Sequence, residues 1–313
     1  MKKKPGLLIA AFLLAAGILN SCKKESSENV LLDQQARQFN DDSNSFKSES
    51  DQADNDINSS LQDIPAFGRI AGIQTIPVCG LSIDSSQIAQ KILYLNFDSS
   101  AVCLTPARKR SGQIKVQLTG GNYWRDAGAE LTVTYINFRV VRLSTGRTIT
   151  VNGVKTLTNL NGNNWPGFIA GTDTLRYRSR AFNLQVQFSS GPVATWNAAH
   201  TTSWLYAPSG PEVIFTVNGD TTLSSYSHVA SWGINRNGNN FITYYLQPAV
   251  SNSLCGFTRP ESGELVHHLD SSDFTVKLGV DISGNHTGAG CAYGYKVTWR
   301  YNGTNAGTIV IGY

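Results

Sequence analysis

The sequence predicts an all-β body, an antiparallel meander or sandwich-like sheets, preceded by a signal peptide and a polar tether. Three observations carry this. Charged residues make up only 15% of the 313, while Gly reaches 29, Phe 13, Tyr 12 and Trp 6. That balance disfavours helical bundles and suits pleated, half-buried surfaces. Apolar residues alternate with period two from about Ile73 onward, and Asn-Gly or Thr-Gly pairs punctuate the alternation. The net charge of +4 leaves no nucleic-acid footprint.

The chain opens with Met1-Lys2-Lys3-Lys4 and an apolar run from Leu7 to Leu19. That run is too short for a bilayer span, which needs about 20 residues, and reads as a signal peptide over 1–21. It ends Leu19-Asn20-Ser21-Cys22, which resembles the lipobox of bacterial lipoproteins, with Asn20 a mild departure. The resemblance implies cleavage before Cys22 and lipid attachment to its thiol, with acyl chains that anchor the protein at about 0.8 kcal/mol per buried CH₂.

Residues 22–64 read as an acidic polar tether, rich in Ser, Asn, Asp and Gln. Phe39, Phe46, Ala53, Ile57 and Leu61 recur near helical spacing, yet the polarity predicts disorder or a weak helix. From Pro65 onward 19 Lys and Arg stand against 12 Asp and Glu, so the body is basic, at about +7. We expect most of that excess to be ordinary soluble surface.

The body, 65–313, contains strand-like runs in order: Ile92-Tyr94, Ile114-Val116-Leu118, Leu131-Val133-Tyr135, Phe182-Leu184-Val186-Phe188, Phe274-Val276-Leu278 and Ile309-Ile311-Tyr313. Thr145-Gly146, Asn152-Gly153, Asn161-Gly162, Asn218-Gly219, Asn237-Gly238 and Asn302-Gly303 mark tight hairpins or bulges between them. About 14 antiparallel strands are expected. Each end of the body carries strand, Asp, loop, Cys, Gly and a Lys-Val strand, which suggests two related halves near 65–190 and 191–313.

Cys22 accounts for the odd cysteine among five. Cys79, Cys103, Cys255 and Cys291 are then expected to form two disulfides in an oxidising compartment, with three possible connectivities. The local pairs Cys79–Cys103 and Cys255–Cys291 are favoured, because each brackets one unit of the shared pattern.

The lipobox, the acidic tether, the cysteine blocks and stretches such as RSGQIKVQLTG, AGAELTVTYINFRV, ATWNAAHTTSW and NRNGNNFITYYL resemble a group of uncharacterised lipoproteins of Bacteroidota-type bacteria. The resemblance implies an all-β, lipid-anchored envelope protein, at the outer membrane and facing either the periplasm or the cell surface. It assigns no activity and transfers no functional residues.

Chemistry is thinly marked. His267 and His268 are adjacent, so in a strand their rings diverge and cannot chelate together. No nucleophile motif, metal-ligand spacing or phosphate loop occurs, so no catalytic residue, metal or cofactor is expected. Aromatic residues are the better lead, since exposed rings stack on sugars and anchor interfaces. Trp196 and Trp204 read as core, and Trp124 and Trp165, beside Asn, Gly and Pro, as the exposed ligand-binding pair. The expected function is a non-enzymatic binding or structural role. Its partners are the membrane, through the lipid, and envelope glycan or another envelope protein. An envelope hydrolase is the first alternative; an outer-membrane barrel ending at Tyr313 is the second.

Overall fold

The chain is all-β apart from one long helix. A computed structural model describes residues 27–313 except 63, 69–77, 105–106, 163–167, 169–170, 172–173, 190, 207–211, 258, 271, 289 and 302–303. The signal peptide and Cys22 lie outside the described residues.

One helix, α1 (Ser27–Gln62), is followed by sixteen strands among the described residues. They are β1 (Leu81–Asp84), β2 (Ile92–Phe97), β3 (Cys103–Leu104), β4 (Ala107–Gly120), β5 (Glu130–Arg142), β6 (Thr148–Asn159), β7 (Leu175–Phe188) and β8 (Val193–Tyr206). Then come β9 (Val213–Gly219), β10 (Thr221–Leu223), β11 (Tyr226–Ile234), β12 (Asn240–Asn252), β13 (Ser262–Leu269), β14 (Ser272–Val280), β15 (Gly294–Tyr301) and β16 (Thr304–Gly312). All belong to one antiparallel sheet whose main path runs β1-β2-β4-β5-β6-β7-β8-β11-β12-β13-β14-β15-β16. β7 and β8 pair across the boundary between the two suggested halves, which are therefore not separate sheets. It is a meander, not a sandwich.

What takes the place of a second sheet is α1. Residues 22–64, expected as a disordered or weakly helical tether, instead supply a 36-residue helix enclosed by the sheet. Phe39, Phe46 and Ala53 stand seven residues apart and are buried, followed by Ile57 and Leu61 at helical steps of four. A second row, Asp42, Glu49 and Asp56, is also buried, three residues after each member of the first. Polar composition alone would leave this segment in water. Buried partners on the sheet reverse that outcome, because tertiary contacts outweigh weak helix propensity.

The helix is held from almost every side. Glu49 meets Arg108 on β4 at 2.5 Å and Arg142 on β5 at 3.0 Å. Asp56 pairs with Arg110 on β4, Asp54 with Lys155 on β6, and Asp42 with Arg236 after β11. Phe46 packs on Trp196 of β8, and Phe39 on Phe241 of β12 and His267 of β13. Asn40 donates to the Tyr295 hydroxyl on β15 at 2.9 Å. Arg147 adds an exposed bridge to Asp41. Six basic residues of the body thus pair with helix carboxylates, and three of them, Arg108, Arg110 and Lys155, are buried, so part of its excess positive charge is internal.

A row of β-bulges gives the sheet the curl it needs. Asn137 (φ 50°) in β5 and Asn183 (φ 56°) in β7 adopt left-handed backbone. Their N–H groups donate to Asn152 Oδ1 on β6 and Asn197 Oδ1 on β8, at 2.7 and 2.8 Å. Gly112 in β4 faces the first bulge so closely that a Cβ would stand 2.1 Å from the Asn137 carbonyl oxygen. The bulges also shift side-chain parity. Phe182, read with Leu184, Val186 and Phe188 as one face, points outward while the other three are buried. Near the start of the sheet the inward set is Leu93, Leu95 and Phe97, with Tyr94 turned out.

Candidate functional site

Both favoured disulfides are present, Cys79–Cys103 and Cys255–Cys291, with Cα atoms 5.8 and 5.2 Å apart. The first ties the lead-in to β1 onto β3, beside Arg110, whose Nη2 donates to the Cys79 carbonyl at 2.8 Å.

Trp124, expected as an exposed ligand-binding ring, is buried. Its indole N–H donates to Asn58 Oδ1 at 2.7 Å and its ring stacks on Tyr177, centroids 5.7 Å apart. It caps the C-terminal part of α1, because the β4–β5 loop folds over that end and Trp124 N–H bonds the Phe67 carbonyl. Trp165 lies outside the described residues. Trp196 and Trp204 are core, as their strand spacing predicted.

Most of the titratable chemistry is enclosed. His267 is buried against Phe39 and shares a 2.8 Å hydrogen bond with Thr243, whereas His268 points outward to Asp273 at 2.7 Å. Strand alternation separates the two rings. Burial holds the His267 imidazole down to about 3, and that of His200 to about 4, so both are neutral at physiological pH. His200 Nε2 lies 3.8 Å from Asp51 Oδ1. A cavity of about 60 Å³ separates α1 from β8, β12 and β13, bounded by Phe46, Lys47, Trp196, Tyr245 and His267. Burial raises the Asp54 and Asp56 carboxyls, with the Lys155 and Arg110 charges opposing it. For Lys155, burial pulls the ammonium down, but the Asp54 carboxylate and the Tyr135 hydroxyl together outweigh it and hold the group above its usual range. These are groups that bind α1. No cluster of three or more His, Cys, Asp or Glu with metal-site geometry occurs among the described residues.

The outer face of the sheet carries outward rings instead, Phe182 exposed and Trp232, Tyr226 and Tyr244 half-buried. Phe182, at 61% exposure, projects beside the β7 bulge and meets Trp232 of β11 edge-on, with centroids 6.0 Å apart. Tyr226 and Tyr244 lie against each other at 4.9 Å, and Tyr226 reaches the His268 ring at 5.5 Å. The outward, half-buried position of Trp232 had no signal of its own in the sequence. That of Phe182 was hidden by a bulge that sequence alternation does not show.

No protein-family model, no curated protein and no solved structure matches this chain.

Proposed function

We propose that the chain is a lipid-anchored cell-envelope protein with a non-enzymatic binding role, and that the outer face of its sheet is what it presents to a partner. The observation that carries this reading is the position of α1. Only four residues separate Cys22 from Ser27, and the helix that follows is the core of the body. Five Cα–Cα steps reach about 18 Å at most, so a lipid on Cys22 would hold the folded body close to the bilayer. The outward positions of β4 are Lys109, Gln113, Lys115 and Gln117. A lipid-facing barrel band is apolar, so this polarity favours an anchored body over a membrane-spanning barrel.

The hydrolase alternative has one observation in its favour, the outward His268–Asp273 pair beside Tyr226. A carboxylate orienting an imidazole is a general-base arrangement. The binding reading is favoured because the exposed rings extend well beyond that pair, whereas His200 and His267 face the helix.

Labelled palmitate fed to expressing cells should appear in the protein and vanish in Cys22→Ala, which should also leave membranes under carbonate or urea extraction. A Cys22→Ala chain that stays with membranes after extraction would overturn the anchored reading in favour of a barrel. Release of reducing sugars from envelope glycan, abolished by His268→Ala, would favour the hydrolase.

A further inference from the structure

We propose that the outer face of β7 is a docking line for an acidic polysaccharide, whose anionic groups are held by a ladder of three arginines. This rests on the binding reading above and names the ligand class and the residues.

Strand alternation builds the ladder. β7 begins Leu175-Arg176-Tyr177-Arg178-Ser179-Arg180-Ala181, and Leu175, Tyr177, Ser179 and Ala181 are buried. Period two therefore turns Arg176, Arg178 and Arg180 to the outer face together. The register with β8 runs unshifted from Leu175 to Ala181, ahead of the bulge at Asn183. At about 3.4 Å per residue, Arg176 and Arg180 stand about 14 Å apart. All three lie on one strand, so the curl of the sheet from strand to strand does not separate them.

The neighbours carry no charge. On β6, Thr158 stands opposite Arg178 and Thr156 opposite Arg180; on β8, Ser203 stands opposite Arg176 and Thr201 opposite Arg178. Neither β6 nor β8 turns a charged side chain outward, because Lys155 and His200 are buried. The positive charge is thus a line one strand wide between two rows of hydroxyls. A bilayer surface is complemented by a broad patch, whereas a single polymer chain is complemented by a line. Thr and Ser hydroxyls both donate to and accept from the hydroxyls of a sugar chain. None of the ladder's register partners is a ring on which a nucleobase could stack.

The ladder already holds one anion. Asp220, in the β9–β10 turn, places its Oδ2 2.7 Å from Arg178 Nε and 3.0 Å from Arg180 Nη2. Two rungs thus converge on a single carboxylate oxygen, as the several donors of arginine allow. Arg176 is exposed and has no carboxylate partner among the described residues. Three guanidinium groups against one carboxylate leave an excess of two positive charges on the line. The surrounding strands do not cancel it: β4, β6, β7, β8 and β9 hold no Asp or Glu. Glu130 of β5 stands beyond Thr158, two strands from Arg178. A repeating polyanion meets Arg176 directly and competes with Asp220 for the other two rungs.

The test uses the chain from Lys23 onward, unlipidated, so its outcome does not depend on whether Cys22 carries lipid. Alginate and polygalacturonate would be immobilised and binding read by biolayer interferometry at about 0.15 M salt, with hydroxyethyl cellulose as the neutral control. The expected result is saturable binding to at least one acidic polymer, weakened roughly fivefold or more by Arg176→Gln and by Arg178→Gln. Asp220→Asn, which removes the competing carboxylate, should tighten it roughly twofold or more. Lys277→Gln removes the same charge from an exposed position on β14 and should bind as wild type. Arg176 is exposed and unbridged, so its variant tests the line without disturbing the core. No binding to either acidic polymer, equal binding to the neutral one, or equal losses in Arg176→Gln and Lys277→Gln overturns the inference. Tighter binding to an oligothymidylate or to phosphatidylglycerol vesicles than to any acidic polymer overturns the polysaccharide as occupant. A failed palmitate experiment beside arginine-dependent binding would remove the anchor and keep the site; the converse would remove the site and keep the anchor.

Discussion

The two faces of the sheet use the same kinds of residue to opposite ends. On the inner face, Trp196, Phe241, Arg108 and Arg110 meet the rings and carboxylates of α1. On the outer face, Phe182, Trp232 and Tyr244 meet one another or solvent. Residue type does not tell the faces apart; the partner does. An aromatic residue becomes core when the chain supplies something to cover it, and a candidate site when it does not.

The comparison breaks most sharply at the buried charges. Arg110 is 7% exposed, pairs with Asp56, and lies over the Phe97 ring at 4.6 Å. Arg110→Ala strands the Asp56 carboxylate inside and should cost about 3–5 kcal/mol in denaturant unfolding. Arg110→Met combined with Asp56→Leu should recover most of that loss. Equal destabilisation by the single and double changes would show that the ion pair itself, and not the stranded charge, sets the stability.

The inner face should also report acid. The folded His267 and His200 imidazoles sit at about 3 and about 4, below the unfolded value of 6.5. Their contribution is therefore complete above pH 6.5 and is lost as pH falls toward those values, at about 1.4 kcal/mol per pH unit for each group. Burial raises Asp42, Asp54 and Asp56, which works in the opposite sense: below their raised values the folded chain takes up protons before the unfolded one. His267→Gln, which keeps a polar partner for Thr243, should flatten the slope by one group. An unchanged slope would mean that His267 is protonated inside the protein.

The smallest effect sharpens the contrast from the other side. Phe182→Ala should change folding stability by less than about 0.5 kcal/mol, as an exposed substitution does. A loss of 2 kcal/mol or more would place Phe182 among the packing residues and blur the two faces.

The strands and their turns were legible in sequence because period two and Asn-Gly are local signals. Thr145-Gly146 and Asn237-Gly238 do close hairpins, and Asn152-Gly153 marks a bulge. The helix was not legible. Its carboxylates read as solvated because their partners stand far off in sequence: Arg110 is 54 residues from Asp56, and Arg236 is 194 from Asp42. The candidate site was half legible. Aromatic content pointed to it, but Trp124 has a partner 66 residues away in Asn58, and Phe182 was turned outward by a bulge.

The contact between Asn40 and Tyr295 spans 255 residues, and its consequence is kinetic. The helix cannot complete its seat until β15 has been made, because Asn40 bonds the Tyr295 hydroxyl there. Long-range closure of this kind slows folding and exposes unpaired strand edges meanwhile. The complete core therefore closes only after β15 has been made, although the helix can meet β4, β6 and β8 before that.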